Sequence, residues 1–356
     1  MRFALTFLFI LSGLALAQMP VLTSVPVAAP PIIDGNIGED FWSDAPILEI
    51  ITESAGYWEA TNNSATTVTL RSVYSGDHVY FLVTWLDPSY SVDRQRWVFD
   101  GTAWAEQDKT PLKDGGANTY YEDKVALQWV ISAPTIVEDE TFYGEYQDEE
   151  EGPALGYDRP VKTAPEGERL DMWHFKYVRT NFTTPPQVDD QFVDDRRDPN
   201  VDNDAGRHSD AQGEVEGGYY NNTKEYTAAD GSTVKGPKYY VPGNSDLYIL
   251  TQAMVDAGEA VEIADYEELM GFAPDTKIAG VVGRALTGSR GDITGKATWR
   301  DGMYVLEFGR ALDTGDLEHD VIFKDLVSTY YFGIATFDNA QIAHGVSDVI
   351  QFVFQK

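Results

Sequence analysis

The chain has no cysteine. Thiolate zinc sites, iron–sulfur clusters, a Cys nucleophile and thioether-linked c-type haem all need sulfur from cysteine, so all are excluded. No disulfide braces the fold either. Histidine is scarce: His78, His174, His208, His319 and His344 are the five. None belongs to an HExxH pattern, which removes the helical zinc-protease motif. There is no GxSxG and no P-loop. The Gly-rich passages lack the strand–GxGxxG–helix context that dinucleotide binding requires. Carboxylates are so abundant that no glycosidase pair stands out.

Positive charge is the other shortage. Lys and Arg number 26 against 58 Asp and Glu, a formal charge of −32. Such a surface repels nucleic acid and anionic lipid. It leaves basic proteins and cations as partners. Long apolar runs are missing after the start of the chain. Phe3 to Leu16 is shorter than the roughly 20 residues a membrane span needs. With Arg2 before it and Ala15-Leu16-Ala17 before Gln18, it reads as a signal peptide over residues 1–17. The expectation is an exported protein, periplasmic or extracellular after cleavage near Ala17, with no membrane insertion.

Strand signals dominate the rest. Residues 18–31 are a Pro-rich lead-in, expected to be extended and loosely held. IIDGNIGEDFWSDAP supplies an Asp34-Gly35 turn and a short helical stretch with its aromatics inward. TTVTLRSVYSGDHVYFLVTWLDPS, from residue 66 to 89, alternates as a hairpin turning at Ser75-Gly76-Asp77, with Val79, Phe81, Val83 and Trp85 on one face. Val125, Leu127 and Trp129 share a face in YYEDKVALQWVIS. KATWRDGMYVLEFGRAL turns at Asp301-Gly302, with Tyr304, Leu306 and Phe308 on one side. STYYFGIATFD and VSDVIQFVFQK close the chain. These elements predict an all-β protein, an antiparallel β-sandwich with a long acidic insertion and one or two short helices. Residues 32–356 are expected to be one domain, with the insertion at about 181–260 and helical turns after Leu250. The stretch DDRRDPNVDNDAG within it has enough oxygen ligands for a structural calcium, without EF-hand order.

DMWHFKYVRT, residues 171–180, holds the densest chemistry. On a strand Met172, His174 and Lys176 share one face, and Trp173 and Phe175 the other. A flat cofactor on the Met172/His174 face would have Lys176 or Arg179 for an acidic group. His78 and His319 read as solvated loop residues. His208, beside Asp210, is a weak cation candidate.

Several stretches, taken in order, resemble one family. They are IDGNIGEDFW (33–42), VYSGDHVYFLVTWLDPS (73–89), YYEDKVALQW (120–129), DMWHFKYVRT (171–180), YVLEFGRALDTGD (304–316) and YYFGIATFDNAQIAHGVS (330–347). The chain looks like the haem-binding domain of the ethylbenzene dehydrogenase and dimethylsulfide dehydrogenase gamma-subunit type, also described as the cytochrome c-552/DMSO reductase-like haem-binding domain. The resemblance implies a β-sandwich related to family 9 carbohydrate-binding modules and DOMON domains, holding a b-type haem without covalent attachment. Those gamma subunits ligate iron with a Met and a Lys, the Lys in a Lys-Ser-x-Ser-like run. Here the run is Ala343-His344-Gly345-Val346-Ser347, so His344 falls where the Lys would be. Imidazole is a good iron ligand. The stretch where the family has its Met, GPALGYDRPVKTAPEGERL, contains neither Met nor His. Met172 or His174 would then supply the second ligand.

The resemblance implies an electron carrier that catalyses no reaction itself. It would be the small subunit of a periplasmic redox complex, beside a molybdoenzyme or a cytochrome. The alternative is a secreted carbohydrate- or ligand-binding module without haem, stiffened by calcium. In that case Trp58, Trp97, Trp104 and Tyr239 would stack on sugar rings.

Overall fold

The fold was analysed in a computed structural model, which describes residues 19–54, 64–107, 120–134, 143–145, 158–160, 167–195, 206–214, 217–244, 247–341 and 343–356. The expected signal peptide, Trp58 and most of DDRRDPNVDNDAG lie outside the described residues.

The main sheet comprises β1 (Val21–Pro26), β2 (Leu48–Ile51), β3 (Glu53–Ser54), β4 (Thr67–Ser75), β5 (His78–Leu86), β6 (Lys124–Ser132) and β7 (Arg169–Lys176). It continues with β8 (Asp189–Val193), β9 (Arg207–Ser209), β10 (Thr294–Arg300), β11 (Met303–Ala311), β12 (Tyr330–Phe337), β13 (Gly345–Val346) and β14 (Ile350–Phe354). Its path runs β9-β8-β7-β6-β12-β14-β1-β4-β5-β11-β10, with β2 on β4 and β13 bridging β12 and β3. The two halves of the sheet on either side of β1 pack face to face as two layers. Phe81 of the second half packs on Trp129 and Trp173 of the first, with centroids 5.6 Å apart in each case. Phe332, Phe352 and Phe308 complete this aromatic core. Offset and edge-on ring pairs of this kind add to the free energy of burial itself.

The hairpins form as the alternation predicts. In β4–β5 the pairing of Ser75 with His78 leaves Gly76-Asp77 as a two-residue turn. Val79, Phe81, Val83 and Trp85 all enter the main core. In β10–β11, Arg300 pairs with Met303, and both turn residues have positive φ, 51° at Asp301 and 80° at Gly302. Such a turn matches the twist of the strands it joins. The Asp34-Gly35-Asn36 turn is pinned from below: Glu307 Oε2 accepts the Gly35 N–H at 2.9 Å, and Oε1 accepts the Trp42 indole N–H at 3.0 Å. Trp42 belongs to a helix, Asp40–Asp44, and is buried.

Two expectations are corrected. The Pro-rich lead-in is no loose arm. β1 lies between β14 and β4 and pairs in parallel with both, with Leu22 and Ser24 fully buried. Trp97 and Trp104 are not exposed. They are the centre of a second core with Phe99, Tyr226, Ile263 and Leu269, and their indole N–H groups donate to the carbonyls of Asn222 and Leu269. A buried indole needs such a partner. Tyr239 is half-buried. The 181–260 stretch contributes small sheets and a hairpin, Thr223–Thr227 with Thr233–Pro237, to this second core.

Candidate functional site

Strand β7 has two functional faces. Trp173 and Phe175 point into the main core. Met172, His174 and Lys176 point to the opposite side, as alternation requires. Across that outer face the register is explicit. His174 is opposite Ala126 of β6, which is opposite Ala335 of β12. Lys176 is opposite Lys124, which is opposite Phe337. His344 immediately precedes β13, whose Gly345 faces Thr336. His174 and His344 are therefore brought to one patch by three strands, in the regular part of the β6–β7 ladder that follows its bulge at Arg169/Leu170.

Phe337 is the centre of this patch. Its ring lies 5.9 Å from the His174 imidazole and 4.6 Å from that of His344. The Lys124 Nζ stands 3.9 Å from its centroid. All three polar side chains are buried. His174 Nδ1 is 3.3 Å from Gln191 Oε1. An amide oxygen only accepts, so Nδ1 carries the proton and Nε2 the lone pair. That Nε2 is buried with no hydrogen-bond partner. Burial, then the charges of Lys176, Lys124, Arg207 and Arg179, holds His174 well below the usual histidine range. It is a neutral imidazole with an uncommitted lone pair, the form that ligates metals.

Lys124 was missed in the sequence. Burial, then the nearby Arg179, pushes its amine well below the usual lysine range. Its Nζ donates to the Gln341 carbonyl at 2.9 Å. The available signal was position: in YYEDKVALQW it alternates with Val125 and Leu127, onto the face that β7 gives to His174. Lys176 pairs with Asp189, and Arg290 binds the same carboxylate at 2.6 Å. Arg179 pairs with Glu122, whose Oε2 also accepts the N–H groups of Val178 at 2.6 Å and Arg179 at 2.9 Å. Both cations therefore already hold carboxylates. Met172 sits one row away from His174, opposite Gln128, and packs with Leu170, Val130, Val193 and Tyr331.

The other histidines lie elsewhere. His78 pairs with Asp77 at 2.7 Å at a hairpin end. His208 pairs with Asp194 at 3.1 Å, and His319 with Asp316 at 3.0 Å.

The donor chemistry of the patch fits a haem iron. It has two buried imidazoles, His174 and His344, of which His174 is held neutral, with the Lys124 amine beside them. The Phe337 ring lies against both imidazoles and the Lys124 amine on this face.

The family model described as Ethylbenzene dehydrogenase matches residues 39–348. The chain belongs to that family. No curated protein matches the sequence significantly. Among solved structures, a proposed carbohydrate-binding protein from Bacteroides uniformis is similar at 9% identity and TM-score 0.33, over 95% of this chain and 100% of that one. A family 9 carbohydrate-binding module from Caldicellulosiruptor kristjanssonii in complex with glucose is similar at 10% identity and TM-score 0.31, over 94% and 97%. The same type of module from that organism with cellotriose gives 11% identity and TM-score 0.30, over 94% of each chain.

Proposed function

We propose that the chain is an exported, non-covalent b-type haem-binding protein that passes electrons as the small subunit of a redox complex. The observation that carries this reading is His174: a buried, neutral imidazole whose Nε2 has no partner, in a family-matched chain. Leaving a buried polar nitrogen unpaired costs about 1–3 kcal/mol, which a ligand on His174 Nε2 would recover.

In this reading His344 and His174 hold the iron, with Met172 as the reserve donor on the same face. Haem supplies one-electron chemistry when bound. The chain's own residues do the rest. Gln191 fixes the His174 tautomer. Lys124 is the amine on this face that no carboxylate among the described residues holds, and it would donate to a propionate. Lys176 and Arg179 stay on Asp189 and Glu122, and Phe337 moves to admit the ring. The partner is a larger redox protein, such as a molybdoenzyme or a cytochrome. No helix among the described residues is long and apolar enough to cross a membrane, which suits a subunit that docks to its partner outside the bilayer.

The test is an absorbance scan of the exported chain made with haem available. A Soret band with sharp reduced α and β bands is expected. His344→Ala and His174→Ala should each abolish the low-spin spectrum. A colourless wild-type protein that also ignores added hemin overturns the reading.

A further inference from the structure

The opposite face of β7 holds a second concentration of unpaired chemistry. Carboxylate oxygens of Asp171, Asp190 and Asp320 lie within 4.8 Å of one another, and all three residues are buried. Arg310, also fully buried, lies among them. Its Nη1 is 3.0 Å from Asp171 Oδ2, 3.0 Å from Asp190 Oδ2 and 3.4 Å from Asp320 Oδ1. Its Nη2 is taken by the Val321 carbonyl at 2.6 Å, and its guanidinium lies 4.6 Å over the Trp173 ring. One positive charge therefore answers three negative ones.

A fourth acid comes from outside that triad. Asp210 follows the edge strand β9, is 2% exposed, and turns its carboxyl toward those of Asp320 and Asp171. Neither of its oxygens meets a nitrogen or hydroxyl donor; what they meet is the Asp320 carboxyl. Asp171 Oδ1 and Asp320 Oδ1 are buried without a hydrogen bond. Asp292 adds a fifth carboxyl beside Asp190. Isolated carboxylates in such a place cost several kcal/mol each. Only two things relieve them: bound protons or a bound cation.

We propose that Asp171, Asp190, Asp210 and Asp320 form a binding site for a hard divalent cation, calcium first, beside the Arg310 guanidinium. The donors are all carboxylate oxygens, which suit calcium, magnesium or manganese over softer metals. His319 is committed to Asp316 and packs on Phe192, so no imidazole competes for the ion. Calcium tolerates irregular oxygen cages better than magnesium does. The site is independent of haem, because it uses the core-facing side of the strand.

The test is calcium titration of the full exported chain by calorimetry, with thermal melts before and after a chelator. Calcium should bind and raise Tm, and the chelator should reverse the rise. Asp210→Asn should lower calcium affinity at least tenfold. That variant carries less unpaired charge, so its metal-free fold is retained. Asp320→Asn serves as the second variant. Asp202→Asn with Asp204→Asn should leave the response intact. Calcium binding undiminished in Asp210→Asn and Asp320→Asn overturns the assignment. So does a wild-type chain that takes up no calcium, magnesium or manganese at millimolar concentration; the protons alone then settle the charge.

Discussion

Lys124 and Lys176 face each other directly across β6 and β7, two cations in register on a buried face. Like charges placed opposite each other across a sheet repel. Lys176 is relieved by Asp189. Lys124 has no carboxylate within ion-pair distance among the described residues, and burial holds its pKa down. Its folded pKa lies below the unfolded one, so the unfolded chain binds the extra proton between the two. Stability then rises with pH across that window. Lys124→Met should stabilise the haem-free protein at pH 7 by about 1–3 kcal/mol, with the gain shrinking above pH 10. The same variant should bind hemin more weakly. Urea denaturation at the two pH values and a hemin titration check both halves.

Glu122 is the anchor of the neighbouring turn. It receives two backbone N–H groups and the Arg179 guanidinium, with Arg94 at 3.8 Å. The positive charges of Arg179 and Arg94 outweigh burial and keep its pKa below the ordinary value. Glu122→Ala strands the buried Arg179 and two N–H groups. Denaturation should show a loss of about 3–5 kcal/mol. A loss below about 1 kcal/mol would mean that water reaches the guanidinium.

The hairpins were legible because two signals coincide in each. Alternation marks Val79, Phe81, Val83 and Trp85 as one face, and a two-residue turn fixes the register that keeps them there. β1 was not legible. Its Pro-rich sequence reads as a linker, and parallel pairing leaves no turn next to it. Trp97 and Trp104 read as exposed because their strands are three residues long, and their partners come from the distant 226–269 region. Lys124 was passed over because a strand lysine is usually solvated. Its burial depends on Phe337 and Gln341, more than 200 residues away.

β1 joins the two layers, so its contribution is measurable directly. Leu22 is fully buried in the main core. Leu22→Ala removes a core side chain and leaves a cavity, which typically costs about 2–5 kcal/mol. Chemical denaturation should give a value in that range. A cost near zero would mean that the two layers hold without this strand.

Asp87, Asp123 and Asp338 form another buried group, with ligand-type oxygens within 4.8 Å of one another. Tyr304 donates to Asp123 Oδ2 at 2.5 Å, and Ser89 donates to Asp87 Oδ1 through both N–H and O–H. Burial, then the charge of Asp338, raises Asp87 to about 6. The folded state therefore keeps a proton that the unfolded chain releases between about pH 4 and 6. Stability from this group is fully present below that window and is lost as pH rises through 6. Asp87→Asn keeps an oxygen for Ser89 and removes the titration. The variant should exceed the wild type by about 1–3 kcal/mol at pH 8 and match it more closely at pH 4. Denaturation at both pH values decides the matter. A variant weaker than the wild type at pH 8 would show that the ionised carboxylate of Asp87 answers a positive charge in the folded protein.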